Sequence, residues 1–222
     1  NRYLCDDYGV APEKCRVTYT PRDLAVWRPV PRKREGKARL LFVGNDFLRK
    51  GGDILLRAWH RLSDICTLTI ASNDPWFRGK ELPESVELLQ GRSSDELLAV
   101  YQTSDVFVLP TRVELMGQVL CEAAATGLPA VATDVGGISD LVIPGENGHL
   151  LKLEDSAETW AATIRRVVSD RDALERMSRR ARALAEEKLS LERFHNLIAE
   201  VVEHLSELAR SGKKTPYPSS AS

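Results

Sequence analysis

The chain has 222 residues, enough for one domain with a substantial core or one domain plus an appended helical piece, and too few for two full domains. Apolar residues make up 43% and charged residues 28%, a soluble globular balance, and a formal net charge of -1 leaves no global field to attract nucleic acid or an anionic membrane, so binding must be local. The four cysteines (Cys5, Cys15, Cys66, Cys121) have neither C-x-x-C spacing nor clustered histidine partners, so neither a zinc site nor a disulfide framework is indicated, and reduced thiols of a cytoplasmic protein fit best. No apolar run approaches the roughly 20 residues needed to span a bilayer, and the start "NRYLCDDYG" lacks a signal-peptide core. A first residue of Asn rather than Met raises the expectation of a fragment of a longer protein.

Residues 1–38 read as a short helical piece, a strand-like "CRVTYT" (15–20), and a Pro, Arg and Lys-rich linker leading into the domain. From there apolar β-type runs alternate with helical patterns: strands at 39–44, 66–71, 86–91, 105–110, 129–133 and "GHLLKL", with helices at 52–62, 94–104 and 117–126, and a Gly-rich "DVGGISDLV". This alternation predicts an α/β, Rossmann-like doubly wound parallel sheet over 39–154. From Asp155 the pattern turns wholly helical, with apolar residues at three-and-four spacing in three segments to residue 210 and Ser156 and Ser190 placed as N-caps. The tail 211–222 is polar and Pro/Ser-rich, and reads as flexible. The arginines at 176, 179, 180 and 182 are interspersed with glutamates, which describes a solvated helix face rather than a nucleic-acid surface.

In an open parallel sheet, ligands bind beyond the carboxyl ends of the strands, where helix N-termini present free N–H groups. After the first strand, "GNDFLRKGGD" places Lys50 and two glycines at a helix entrance, where a lysine can neutralise phosphate; a glycine-containing turn with a solvated lysine is the plainer alternative. There is no P-loop spacing and no G-x-G-x-x-G fingerprint. After the fourth strand, "RVELMGQVLCEAAATGLP" carries Glu114 and Glu122 with Gly117 at the helix start. The amides near Met116, Gly117 and Gln118 suit a diphosphate, since the helix dipole favours an anion there by a few tenths to about 1 kcal/mol. Gln118, Glu122 and Thr126 form a polar stripe on an otherwise small and apolar helix, either a solvent face or a row of ligand groups. Carboxylates accept well from vicinal sugar hydroxyls, so the two acids could reach the two ends of a sugar nucleotide.

The stretches "LLFVGNDFLRKGGDILLRAW", "VELLQGRSSDELLAVYQTSDVFVLPT" and "VELMGQVLCEAAATGLPAVATDVGGISDLVIPGENGHLL" resemble the donor-binding domain of retaining glycosyltransferases of the GT-B fold, especially family 4. The similarity runs from about Cys5 to Leu205, and its most specific element is the E-x7-E motif at Glu114 and Glu122. The resemblance implies that Glu114 contacts hydroxyls of the donor sugar, that Glu122 holds the ribose, and that Lys50 binds the diphosphate with the amides of Met116, Gly117 and Gln118. Around Gly91, Arg92 and Leu97 it implies reception of the base. It implies no nucleotide-bound metal and no tightly bound cofactor, the donor being a UDP-, GDP- or ADP-sugar. The acceptor, a glycan, a lipid or a small molecule, would be bound by an N-terminal domain preceding Asn1, and peripheral membrane contact of the full-length protein is compatible with that picture. The C-terminal helix would pack toward that half, so its apolar residues are expected to favour self-association of the isolated chain.

Two residues depart from the family pattern. Asn45 stands where an arginine is common after "VG", which removes a positive charge from the diphosphate site, with Arg49 or Lys50 left to compensate. Leu115 replaces the usual glycine after the first glutamate, restricting positive φ and adding bulk beside the sugar. A competing reading is a non-catalytic nucleotide-binding or protein-interaction module in which these two residues mark a decayed site. A nucleotide-sugar epimerase would need catalytic acids and histidines that the sequence does not place.

Overall fold

Apolar runs such as "LLFV" and "VFVL" leave no polar face, as a parallel strand covered on both sides requires. In the computed structural model, which describes residues 5–32 and 35–211, they form the centre of a six-stranded parallel sheet: β1 (Ala38–Val43), β2 (Cys66–Ala71), β3 (Val86–Leu89), β4 (Val106–Leu109), β5 (Ala130–Thr133) and β6 (Gly148–Leu151). The order is β3-β2-β1-β4-β5-β6, with Leu40 opposite Leu68 on one side of β1 and opposite Val106 on the other. The chain thus winds outward from β1 to β3, returns past β1, and winds the other way from β4 to β6. Right-handed crossovers then place the helices of the two halves on opposite faces of the sheet.

Six α-helices are described: α1 (Gly52–Ala58), α2 (Ser94–Thr103), α3 (Gln118–Ala125), α4 (Ala157–Ser169), α5 (Arg171–Lys188) and α6 (Leu191–Arg210). α4 packs on α1 and α5 on α3, so the C-terminal helices cover both faces. Their boundaries follow from side-chain caps. Ser93 and Glu96 form a reciprocal capping box for α2, and Ser156, Asp170 and Ser190 accept from the third helical amide of α4, α5 and α6. The core runs through Leu40, Phe42, Ile70, Phe107 and Val131 in the strands to Trp160 and Leu184 in the helices, all buried.

Several sequence expectations need adjustment. The strand-like 15–20 segment is no strand, since it joins neither edge of the sheet, β3 or β6, and an alternating pattern without a partner strand makes no ladder. Helix α1 stops at Ala58 and continues as a 3-10 turn over Trp59–Arg61 rather than as α-helix to Leu62. β3 ends at Leu89, two residues early, since Gly91 turns the chain with a φ of 65°. At the N-terminus Cys5 and Asp6 are helical, the rest of that expected piece lying outside the described residues, as does the tail from residue 212.

The segment leading to β1 is clamped by two arginines. Arg32 donates to the carbonyls of Thr126 (2.7 Å) and Gln102 (2.9 Å), and Arg182 to those of Ala125 and Trp27, each at 2.7 Å. The acceptors at the ends of α2 and α3 are orphan helix carbonyls, which cations satisfy.

Candidate functional site

The sheet reverses its winding between β1 and β4, and there the loops after the two strands splay apart. A cavity of about 640 Å³ opens at that point, bounded by the last residues of β1, β2 and β3 (Val43, Ala71 and Leu89), by Gly44 and Asn45, Ser72 and Asn73, and Arg92 beyond them, and by the stretch Glu114–Val119 at the entrance to α3. Lys50, Leu97 and Thr20 complete its wall.

At its heart Lys50 Nζ donates to Glu114 Oε2 at 2.6 Å, with the two side chains 12% and 13% exposed. Their loops are laced together. Arg112 forms a two-pronged pair with Asp53 at 2.8 and 2.9 Å, its amide donates to the Arg49 carbonyl at 2.8 Å, and Arg49 reaches back to the Val113 carbonyl at 2.9 Å. Burial alone would raise the Asp53 carboxyl, but the hydrogen bonds and charge of Arg112 outweigh it and hold it below its ordinary 3.8. Behind Glu114 the Gly-rich loop approaches backbone to backbone. A Cβ on Gly136 would stand 1.8 Å from the Glu114 carbonyl oxygen, and the Gly137 amide donates to the Leu115 carbonyl at 2.9 Å.

Helix α3 begins differently from α2, α4, α5 and α6. Its N-cap is Gly117 in the left-handed region (φ 67°, ψ 68°), with no side-chain cap and no acid in the first turn. The amides at Gly117 and Gln118 are therefore left to the cavity, as an anion site requires. The left-handed turn sits at Gly117 and every described non-glycine residue has negative φ, so Leu115 meets no positive-φ demand. Its side chain is 90% exposed at the cavity rim.

Glu122 is placed apart from the other candidates. It does not line the cavity; one turn deeper, its Oε1 accepts from Arg22 Nη2 and its Oε2 from the Tyr101 hydroxyl, both at 2.9 Å. Burial and the neighbouring Glu122 charge push the Tyr101 phenol well above its ordinary range, which keeps it a donor. Thr126 is wholly buried and its hydroxyl bonds to the Glu122 and Ala123 carbonyls, so the polar stripe of α3 runs from an exposed Gln118 at the cavity through a half-buried Glu122 to a buried Thr126 and is not one continuous solvent face.

Asn45 does not stand as a free replacement for a cation. Its Oδ1 accepts from the Asn73 amide at 2.8 Å, and Asn73 Oδ1 in turn accepts from the Gly91 amide at 2.6 Å, tying the loops after β1, β2 and β3 together. Gly91 is thus a member of this relay rather than of the cavity lining, whereas Arg92, paired with Glu96 at 2.9 Å, and Leu97 do line it. Of the residues that sequence reasoning passed over, Ser72 and Asn73 follow a strand end and were open to the same rule that found Lys50. Thr20 and Arg22 come from the leading segment, where no local pattern marks them. Among the described residues no group of three or more His, Cys, Asp or Glu could hold a metal ion, and no helix is long and apolar enough to cross a membrane.

A parallel sheet wound both ways from a central strand, with an uncapped helix start at the switch point, defines a Rossmann-like α/β domain of the kind found in GT-B glycosyltransferases. The family model for "Glycosyl transferases group 1" matches residues 25–184, and the chain belongs to that family. Glycogen synthase of Mycobacterium tuberculosis is 31% identical, aligned over 98% of this chain and 54% of its own length. D-inositol 3-phosphate glycosyltransferase of Nocardia farcinica is 30% identical over 83% of this chain and 46% of its own, so the chain spans about half the length of the curated relatives it matches. Among solved structures, sucrose-phosphate synthase of Thermosynechococcus elongatus superposes with a TM-score of 0.77 at 25% identity, covering 92% of this chain and 56% of that one.

Proposed function

We propose that the chain is the donor-binding half of a retaining family 4 glycosyltransferase, which moves a sugar from a nucleotide-diphosphate sugar to an acceptor hydroxyl. The observation that carries this reading is the Lys50–Glu114 pair at 2.6 Å beside the uncapped start of α3. It brings a cation, a carboxylate and an uncapped helix start together in one cavity at the switch point. Support also comes from Anabaena HepE, which shares the fold (TM-score 0.75, 20% identity) and whose structure is a complex with UDP-glucose.

In this reading the diphosphate lies between Lys50 and the amides of Gly117 and Gln118, which stabilise the charge that builds as the leaving group departs. Glu114 orients the sugar hydroxyls and is not a nucleophile. Glu122 accepts from the ribose, and the base lies toward Arg92 and Leu97. Residues 39–154 are the nucleotide-sugar core, 1–38 the lead-in and 155–210 the covering helices. The acceptor is held by a further domain, so the isolated chain binds nucleotide weakly and transfers no sugar.

Calorimetry with UDP, GDP and ADP tests the donor site: one of the three binds the chain, and silence from all three at millimolar concentration refutes it. In the intact enzyme Glu114→Ala lowers turnover severely with the fold preserved; wild-type rates would sink the assignment. Robust transfer by the 222-residue chain alone would overturn the division of labour between two domains.

A further inference from the structure

The Glu122 side chain is held more tightly than accepting from a ligand requires. Both carboxylate oxygens are engaged, one by Arg22 and one by the Tyr101 hydroxyl, each at 2.9 Å, which fixes the plane of the carboxylate. Each oxygen still keeps a free lone-pair direction for a further donor.

The two partners come from separate parts of the chain. Tyr101 is fully buried on α2, its ring stacked on Phe107 and edge-on to Trp27, with 5.8 Å between centroids in both cases. Arg22 lies 100 residues before Glu122, has a side chain only 14% exposed, and donates its amide to the Leu189 carbonyl at 2.8 Å. Thr20, two residues earlier, lines the cavity. Arg22 also buries its Nε–H without a hydrogen-bond partner. An unpaired buried donor opposes folding, and so does withdrawing two charges from water. A pair kept in spite of both is better explained by what it does for a ligand than by stability.

We infer that Arg22 and Tyr101 are positioning residues for the donor's ribose: they hold the Glu122 carboxylate in the plane in which it accepts the vicinal ribose hydroxyls. The inference rests on the donor reading above and extends the site to the segment Thr20–Arg22, which serves as one of its walls.

The test compares ribose with deoxyribose. Calorimetry on the full chain first identifies which of UDP, GDP and ADP binds, and that nucleotide is then set against its 2′-deoxy form. Wild type prefers the ribose form by about tenfold or more, the effect of a hydrogen bond to a charged group. Arg22→Met and Tyr101→Phe each bring the preference toward unity, Arg22→Lys recovers part of it, and competition by inorganic pyrophosphate stays at the wild-type value throughout. If both nucleotides weaken equally and the preference persists, the two residues are merely structural and the inference fails. If Arg22→Met does not fold, Tyr101→Phe, which keeps the buried ring, decides alone. Absence of binding by wild type to all three diphosphates overturns the donor reading itself, a different result from a preserved preference.

Discussion

Replacing Glu114 by glutamine keeps the side chain's size but removes the charge that holds Lys50. The ammonium donates to Glu114 at 2.6 Å, and both side chains are nearly nine-tenths buried. A diphosphate therefore competes with an existing partner for the charge of Lys50. A hydrogen bond to a charged group contributes about 1.5–3 kcal/mol net, and about 1.4 kcal/mol is a factor of ten in affinity. The amide oxygen of glutamine still accepts from Lys50, so the lower end of that range applies. Glu114→Gln is expected to bind the free nucleoside diphosphate about tenfold more tightly. Turnover in the intact enzyme should nevertheless fall, because the sugar loses its orienting carboxylate. Calorimetry supplies the first quantity and a steady-state transfer assay the second. The double variant with Lys50→Met should erase the gain, as the cycle for a coupled pair requires. Unchanged or weaker diphosphate binding by Glu114→Gln would refute the idea that the two residues compete.

Three other perturbations test the scaffold around this pair. Gly136→Ala puts a Cβ 1.8 Å from the Glu114 carbonyl at a φ of 58°; a loss of about 1–3 kcal/mol in chemical denaturation is expected, together with loss of nucleotide binding. Because the Asp53 carboxyl is held below its ordinary 3.8, its pairing with Arg112 stabilises the fold fully above that pH and is lost as pH falls through the lower folded value. Wild type should thus exceed Asp53→Asn in thermal midpoint at neutral pH and converge with it in strong acid, and parallel curves at all pH values would count against the brace. Leu115→Gly, at a position 90% exposed and free of any positive-φ demand, should change stability by less than about 1 kcal/mol while altering the ranking of donor sugars in a transfer assay.

The sheet was open to reading from the sequence because a parallel strand buried on both faces writes a solid apolar run. "LLFV" and "VFVL" could be little else, and the rule that ligands gather beyond the strand ends then led to Lys50 and Glu114. The segment "CRVTYT" misled, since alternation signals an extended chain but not a pairing partner. Thr126 misled in the opposite sense: its polarity offered a solvent face or a ligand group, but the residue is wholly buried and its hydroxyl is satisfied by helix carbonyls. The concern that Leu115 occupies a position needing glycine dissolves because the left-handed turn falls two residues later, at Gly117. Asn45 brings no charge to the site, but it joins the first of two links between the loops after β1, β2 and β3, a role its place in the sequence did not show. Arg22 was beyond reach: a contact spanning 100 residues leaves no periodicity and no local motif.

The contact between Gly136 and the Glu114 carbonyl separates two properties that active sites commonly entangle. The approach of the two loops is a main-chain contact, and the side chains at 113 and 115, exposed by 61% and 90%, take no part in it, so they are at liberty to vary without moving the glutamate between them. An architecture of that sort can drift toward new donors by single substitutions at its rim. It also sets a limit on transplantation: the acid grafted without its two glycines would arrive with the right chemistry and the wrong address.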